Sequence, residues 1–305
     1  MEKITQSLIS IVSDLKEMPN GAYNIRENGA CAGRSNSENI EIIPKEDKSG
    51  IDIKIKANTK GETVYIPALV THENVKDIVY NDFYIGENAD VIISAGCGIH
   101  NDGCGTSEHN GVHRFFVGKN AKVLYLEKHI GTGEGEGKRI INPETYAEID
   151  ENGYLEMDTV QIKGVDSTKR TCKAVLKKEA KLIVKEKLMT HGNQFAETVF
   201  EVDLDGEDSG VNLISRSVAK DKSKQRFISK INGNNKCNGH SECDAIIMDD
   251  AVVTAIPEIT ANNVDASLIH EAAIGKIAGE QIIKLMTLGL TEEEAEARIV
   301  DGFME

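Results

Sequence analysis

Four short stretches decide the reading: Glu87-Asn88-Ala89-Asp90-Val91-Ile92-Ile93, Lys119-Asn120-Ala121-Lys122-Val123-Leu124-Tyr125, Glu151-Asn152-Gly153-Tyr154-Leu155-Glu156-Met157 and Lys178-Glu179-Ala180-Lys181-Leu182-Ile183-Val184. Each runs from polar residues through a small turn residue into a short strand. The small residues follow one another at 32, 32 and 27 positions. A polar corner and a strand recurring at nearly constant phase is how a β-solenoid stacks its rungs, because no single rung buries its apolar face alone. A jelly roll or β-sandwich also yields short strands separated by turns. The recurring phase favours a mainly β fold, a right-handed parallel β-helix.

Outward from this body the period changes. Over residues 1–18, Ile4, Leu8, Ile11, Val12 and Leu15 recur at helical spacing, and Pro19-Asn20-Gly21 stops the pattern. Residues 21–40 look irregular. Ile51-Asp52-Ile53-Lys54-Ile55-Lys56 alternates strictly, as a half-buried strand does. From Glu271 the period returns to that of a helix, with Ile274, Ile277, Ala278, Ile282 and Leu285 on one face. Gly289 stands where a left-handed C-cap is wanted, and Thr291-x-x-Glu294 is a capping box opening a last helix through Ile299 and Val300. The expected organisation is an N-terminal helix and irregular segment (1–40), a β-helix core (41–270) and a C-terminal helical segment (271–305).

Composition narrows the class. The chain has 305 residues, no tryptophan and 5% aromatics, so its core must be mostly aliphatic. A net charge of −15 argues against a nucleic-acid-binding body, which would want a basic face. No apolar run of membrane-spanning length occurs. The N-terminus, acidic at once and without a small-residue cleavage site, does not read as a signal peptide. A cytoplasmic location is expected, where the six cysteines would be free thiols.

Three groups of residues could carry chemistry. Cys237 and Cys243 lie in Lys236-Cys237-Asn238-Gly239-His240-Ser241-Glu242-Cys243; their spacing fits neither a zinc ribbon nor a thioredoxin motif. A free cysteine there is either a small buried hydrophobe or a thiolate ligand. His270-Glu271, at the expected strand-to-helix junction, is either a surface imidazole with a dipole-satisfying carboxylate or part of a site. The third group is Cys97, His100, Cys104, His109 and His113, two thiols and three imidazoles among glycines. It reads as a metal or cluster site, a substrate loop, or a glycine-rich loop with incidental histidines. Cys172 reads as a strand residue. The run Gly131–Arg139 is not a P-loop: Thr132 stands where its first glycine belongs and Arg139 replaces the hydroxyl residue. It reads as a flexible surface loop, and the chain is not expected to bind ATP.

The C-terminal third resembles the SufB/SufD family of iron–sulfur cluster assembly scaffolds. Cys243-Asp244-Ala245-Ile246-Ile247-Met248 and Ile269-His270-Glu271-Ala272 stand in the order of two of that family's motifs. Leu288-Gly289-Leu290, Ala295 or Ala297, Ile299 and Gly302-Phe303 match its closing helical pattern. Two departures stand out: Ile269 replaces an acidic residue, and Ala251-Val252-Val253-Thr254-Ala255 replaces a stretch bearing a second cysteine and a histidine. The resemblance implies a β-helix scaffold, itself no enzyme, binding a transient [4Fe-4S] or [2Fe-2S] cluster through Cys243, Glu271, His270 and Cys237. It implies a SufC-like ABC ATPase docked on Leu285, Leu288, Leu290, Ile299 and Phe303, a homodimer in place of a SufB–SufD pair, and iron–sulfur acceptor proteins as clients. The rival expectation is a zinc- or iron-dependent β-helix or cupin-like enzyme centred on Cys97, His100, Cys104, His109 and His113.

Overall fold

The computed structural model describes residues 3–15, 17 and 19–305. Its chain runs through α1 (Lys3–Ser13), β1 (Ala22–Glu27), β2 (Ala30–Ser35), β3 (Ile40–Pro44), β4 (Gly50–Ile55), β5 (Lys60–Val70), β6 (Lys76–Ile85) and β7 (Asp90–His100). It continues through β8 (Ser107–Val117), β9 (Lys122–Thr132), β10 (Arg139–Ile141), β11 (Glu144–Ile149), β12 (Tyr154–Lys163), β13 (Ser167–Leu176), β14 (Lys181–Thr190) and β15 (Phe195–Leu204). It ends with β16 (Ser209–Ala219), β17 (Lys224–Gly233), β18 (Cys237–Ile247), β19 (Val252–Ala261), β20 (Ala266–Gly275), α2 (Gly279–Met286) and α3 (Glu292–Met304). Strands make up 59% of the structure and helices 10%, wound as a β-solenoid of about 8 turns.

From β4 onward strands alternate between two sheets, with β10 and β11 together filling one position between β8 and β13. Within a sheet neighbours run parallel, as in β7–β9 and β16–β18. The corners explain the recurring stretches. Asn88, Asn120, Asn152 and Glu179 turn the chain at φ 56°, 55°, 54° and 57°, the left-handed region that asparagine tolerates better than most residues. Behind them Ala89, Ala121 and Ala180 are fully buried, and a larger side chain would have no room. The corner asparagines stack: Asn120 Nδ2 donates to Asn88 Oδ1 at 3.2 Å and Asn152 Nδ2 to Asn120 Oδ1 at 2.9 Å, each 32 residues away. One repeat of the sequence is therefore one turn of the solenoid.

Inside, side chains of like kind stack along the axis. Phe83 lies on Phe115 at 4.5 Å between centroids, and Ile93, Val123, Leu155, Leu182, Val211 and Leu213 belong to one continuous apolar column. That column is the core, and its apolar burial is the main stabilising term.

Several expectations need correction. The N-terminal helix ends at Ser13, where Asp14 takes a left-handed φ of 55°; residues 1, 2, 16 and 18 of the expected span lie outside the described residues. Residues 21–40, expected to be irregular, hold β1 and β2, an antiparallel hairpin that adds to one sheet through β1–β5 pairing. Their alternation is invisible because β2 is exposed along half its length and pairs on one side alone. β20 runs on to Gly275, so His270 and Glu271 sit mid-strand rather than at a helix start, and α2 begins only at Gly279. The run Gly131–Arg139, expected as a flexible surface loop, is a loop with Glu134, Glu136 and Lys138 exposed, but it stacks on the preceding rung. Gly135 N–H donates to Asn101 O and Gly137 N–H to Gly103 O, and a Cβ on Gly137 would meet Gly105 O at 2.0 Å. The Thr291–Glu294 capping box is present, Gly289 adopts a φ of +99°, and Cys172 is a buried strand residue.

Candidate functional site

In a β-strand alternate side chains face opposite sides, and in these rungs one side is the lumen. Cys97 on β7 points inward and is register partner of His129 on β9; His109 and His113 point inward from β8. These four buried side chains share the lumen with Glu127, Tyr125 and Arg170, an unusual density of titratable groups inside an aliphatic column.

Each charge there has a partner. Arg26 Nε donates to Asp77 Oδ2 at 2.8 Å, and His109 Nδ1 lies 3.0 Å from the same oxygen. Arg170 Nη1 donates to Glu127 Oε2 at 2.6 Å, and His129 Nε2 lies 3.4 Å from Glu127 Oε1. Burial disfavours the imidazolium of His109, but the Cys97 thiolate and Asp77 outweigh it and raise its pKa to about 10. Burial likewise opposes charge on His129, and Glu127 with Cys97 raises it to about 9. Burial raises the Cys97 thiol, yet His109 and His129 overcome it and bring it down to about 6. The two imidazoles thus favour the thiolate form of Cys97 against the effect of burial.

His113 behaves oppositely. Burial outweighs the attraction of Glu127, and its pKa falls to about 4. Its tautomer follows from its partners. Tyr125 Oη donates to Glu127 Oε1 at 2.8 Å, so it accepts from His113 Nδ1–H at 2.8 Å. Nε2 of His113 is then the acceptor facing Asn81 Nδ2 at 3.3 Å. A cavity of about 30 Å³ lies among Cys97, His109, His113 and Asn81, with room for a small ligand such as a water or a single sulfur atom. Two polar atoms in this region, Asn81 Oδ1 and His129 Nε2, have no hydrogen-bond partner.

From there a polar seam follows the lumen. Arg170 Nε is 3.7 Å from Glu186 Oε1, and Glu186 accepts from Thr198 Oγ1 at 2.8 Å and Ser215 Oγ at 2.7 Å. Ser215 is register partner of Cys243. Burial first, then Glu186 and Asp244, push the Cys243 thiol up to about 12, so this inward cysteine is neutral.

The predicted site residues therefore divide. Cys237 and Cys243 face the lumen from β18, and His270 faces it from β20 with Nδ1 buried and unpartnered. Glu271 faces the other way, onto the outer surface, where His240 Nε2 is 3.6 Å from its Oε2. Of the second group, Cys97, His109 and His113 come together. Cys104 is exposed, and His100 turns to Thr132 Oγ1 at 3.0 Å and Asp102 Oδ2 at 2.9 Å, away from the cavity. Sequence reasoning missed Glu127, His129 and Arg170, whose signal was present: Glu127 and His129 are polar residues at the inward phase of a strand. In the tail, Val300 and Met304 bury α3 against Val218 with Phe303 packed beside them, and Ala295 is also buried; α2 buries nothing, and Ile283, Met286 and Leu288 are exposed.

A parallel solenoid with a helical tail is the architecture that the C-terminal resemblance implied. The chain belongs to the SufBD core family: the family model described as "SUF system FeS cluster assembly, SufBD core domain" matches residues 72–303. It is similar to the iron–sulfur cluster assembly SufBD family protein of Archaeoglobus fulgidus, 29% identical over 276 residues, 89% of this chain and 72% of that one. The protein of the same description from Methanocaldococcus jannaschii is 29% identical over 273 residues, 88% of this chain and 85% of that one. With the relative from Methanothermobacter thermautotrophicus strain Winter the identity is 29% over 238 residues, 76% of this chain and 56% of the relative's length. The family places the chain in iron–sulfur cluster assembly. No described helix is long and apolar enough to cross a membrane.

Proposed function

We propose that this chain is a scaffold on which iron–sulfur clusters are built and from which they are passed on, with the cluster as cargo rather than resident cofactor. The observation that carries the reading is the buried grouping of Cys97 with His109 and His129 beside a small lumenal cavity, where the imidazoles lower the thiol's pKa. A deprotonated thiol is the form that takes up sulfur or iron. The polar seam through Arg170 and Glu186 connects this thiol with Cys243 near the solenoid's last rung. Cys243 and His270, both lumenal, are the proposed ligands of the cluster, and Cys237 is an inward thiol on the same strand as Cys243; Glu271 faces outward and does not share their side of the sheet. Mixed thiolate and nitrogen ligation suits a site that must release its cargo.

The partners follow the same reading. Apolar Ile283, Met286 and Leu288 on and beside α2, with Leu285, Leu290, Ile299 and Phe303, form the proposed docking face for a SufC-like ATPase. The last rung, with Val252, Ile259, Ile269 and Ile274 exposed, is the proposed homodimer surface. A cytoplasmic location and client acceptor proteins belong to this proposal. The rival metalloenzyme gains no support, because Cys104 and His100 do not converge with Cys97, His109 and His113.

Anaerobic purification with and without a co-expressed SufC-like ATPase tests the reading through iron, acid-labile sulfide and the visible spectrum. Iron and sulfide in the wild type, and their loss in Cys97→Ser and Cys243→Ser, are expected. Colourless protein holding stoichiometric zinc would overturn it.

A further inference from the structure

His240, Glu242 and Glu271 lie on the outer surface of the solenoid, with β18 carrying the first two and β20 the third. Their ligand atoms all fall within 4.8 Å of one another. Glu242 and Glu271 are direct register partners, two like charges side by side on a parallel ladder. Such a pair is destabilising; burial first and then neighbouring Asp244 disfavour charge on Glu242, and His240 and Arg216 offset this only in part. The histidine is set for a cation. Asn212 Oδ1 can only accept, so His240 donates its Nδ1–H to it at 2.9 Å, and Nε2 is left facing Glu271. A second partner that fixes the tautomer in this way is the usual support of a metal-ligating imidazole. The 3.6 Å between Nε2 and Glu271 Oε2 is too long for a hydrogen bond. It suits two donors that each stand about 2.1 Å from a shared ion.

We infer that His240, Glu242 and Glu271 form a binding site for a divalent transition metal, outside the lumen and separate from the thiols. One imidazole with two carboxylates is a donor set for Fe2+, Mn2+ or Zn2+ rather than for a soft ion or for Ca2+. Resting on the proposed scaffold function, the inference assigns the site to incoming ferrous iron: iron waits on hard ligands at the outer surface while sulfur is handled by thiolates inside.

Cobalt(II) added anaerobically to the full-length apo chain is the probe. Thiolate ligation gives Co2+ intense charge-transfer absorption, whereas nitrogen and oxygen donors give only weak ligand-field bands. One equivalent bound with weak bands is expected, its affinity falling at least about tenfold in His240→Ala and Glu242→Gln and unchanged in Cys97→Ser. Both variants alter outward side chains, and unchanged melting curves would certify their folding. Cobalt binding that survives His240→Ala and Glu242→Gln, or shows charge-transfer bands lost in Cys97→Ser or Cys243→Ser, would overturn the site while leaving the scaffold reading intact. Cobalt behaving as expected in a chain that never acquires iron and sulfide would uphold the site and sink the scaffold reading instead.

Discussion

Cys97 and His129 are register partners one full turn apart in the solenoid, and with His109 they cluster in the lumen, where the two imidazoles lower the pKa of the thiol. The pairing converts a 32-residue repeat into chemistry: the inward phase of one rung supplies the thiol, and the same phase of the next supplies its counter-ion.

The charge state of that cysteine is directly measurable. Deprotonation of Cys97 is expected at about pH 6, so its thiolate forms as pH rises through that value and is lost as pH falls below it. The ultraviolet thiolate absorbance of the wild type minus that of Cys97→Ser should show this step. Cys243, pushed to about 12, should contribute nothing below pH 9. A difference titration centred near the ordinary cysteine value would contradict the cluster.

Glu127→Gln should move that titration upward. Glu127 holds His129 in its protonated form, so neutralising Glu127 removes part of the positive charge that stabilises the thiolate. The expected displacement is of the order of one pH unit, read by the same difference titration, and it should lower the iron and sulfide content of the co-expressed protein as well.

Removing Arg170 should unfold more than it disables. Arg170 Nη1 bonds Glu127, and its Nε faces Glu186, both fully inside the lumen. Arg170→Met leaves buried Glu186 without a cation and Glu127 with His129 alone, a loss of roughly 3–5 kcal/mol. Chemical denaturation measures it, and Glu127→Gln added to Arg170→Met should recover part of the stability.

The corner ladder offers a test of the fold itself. Asn120 holds a φ of 55°, and its amide bonds Asn88 and Asn152. Asn120→Ala gives up a tolerated left-handed corner and two exposed hydrogen bonds, and about 1–2 kcal/mol of destabilisation is expected. Asn120→Gly should cost less, because glycine keeps the backbone conformation at no steric cost. Equal losses in the two variants would show that the side-chain ladder, not the turn, stabilises the corner.

Much of the solenoid could be read from four stretches of chain. The phase of Asn88, Asn120, Asn152 and Glu179 marks the corners, and the buried alanines beside them mark where the chain has no room. The capping box at Thr291 and the left-handed Gly289 were equally plain, because each depends on residues close together in the chain. Residues 22–35 were not legible as strands. β1 pairs with β5 and β2 with β1, and nothing local in Ala30-Cys31-Ala32-Gly33 records it.

The site divides along the same line. Residue types and spacing picked out Cys97, His109, His113, Cys243, His270 and Glu271 as chemically able. Which of them meet depended on strand phase and on stacking of rungs about thirty residues apart. A shift of one position turns a side chain from lumen to solvent, and so Cys243 faces inward while Glu271 faces outward. The sequence by itself determined the repeat, the corners and the inventory of thiols and imidazoles. Only the tertiary structure decided that His129 and Glu127 complete the Cys97 cluster and that Asn212 aims His240 at Glu271, because those contacts join adjacent turns that no local pattern connects.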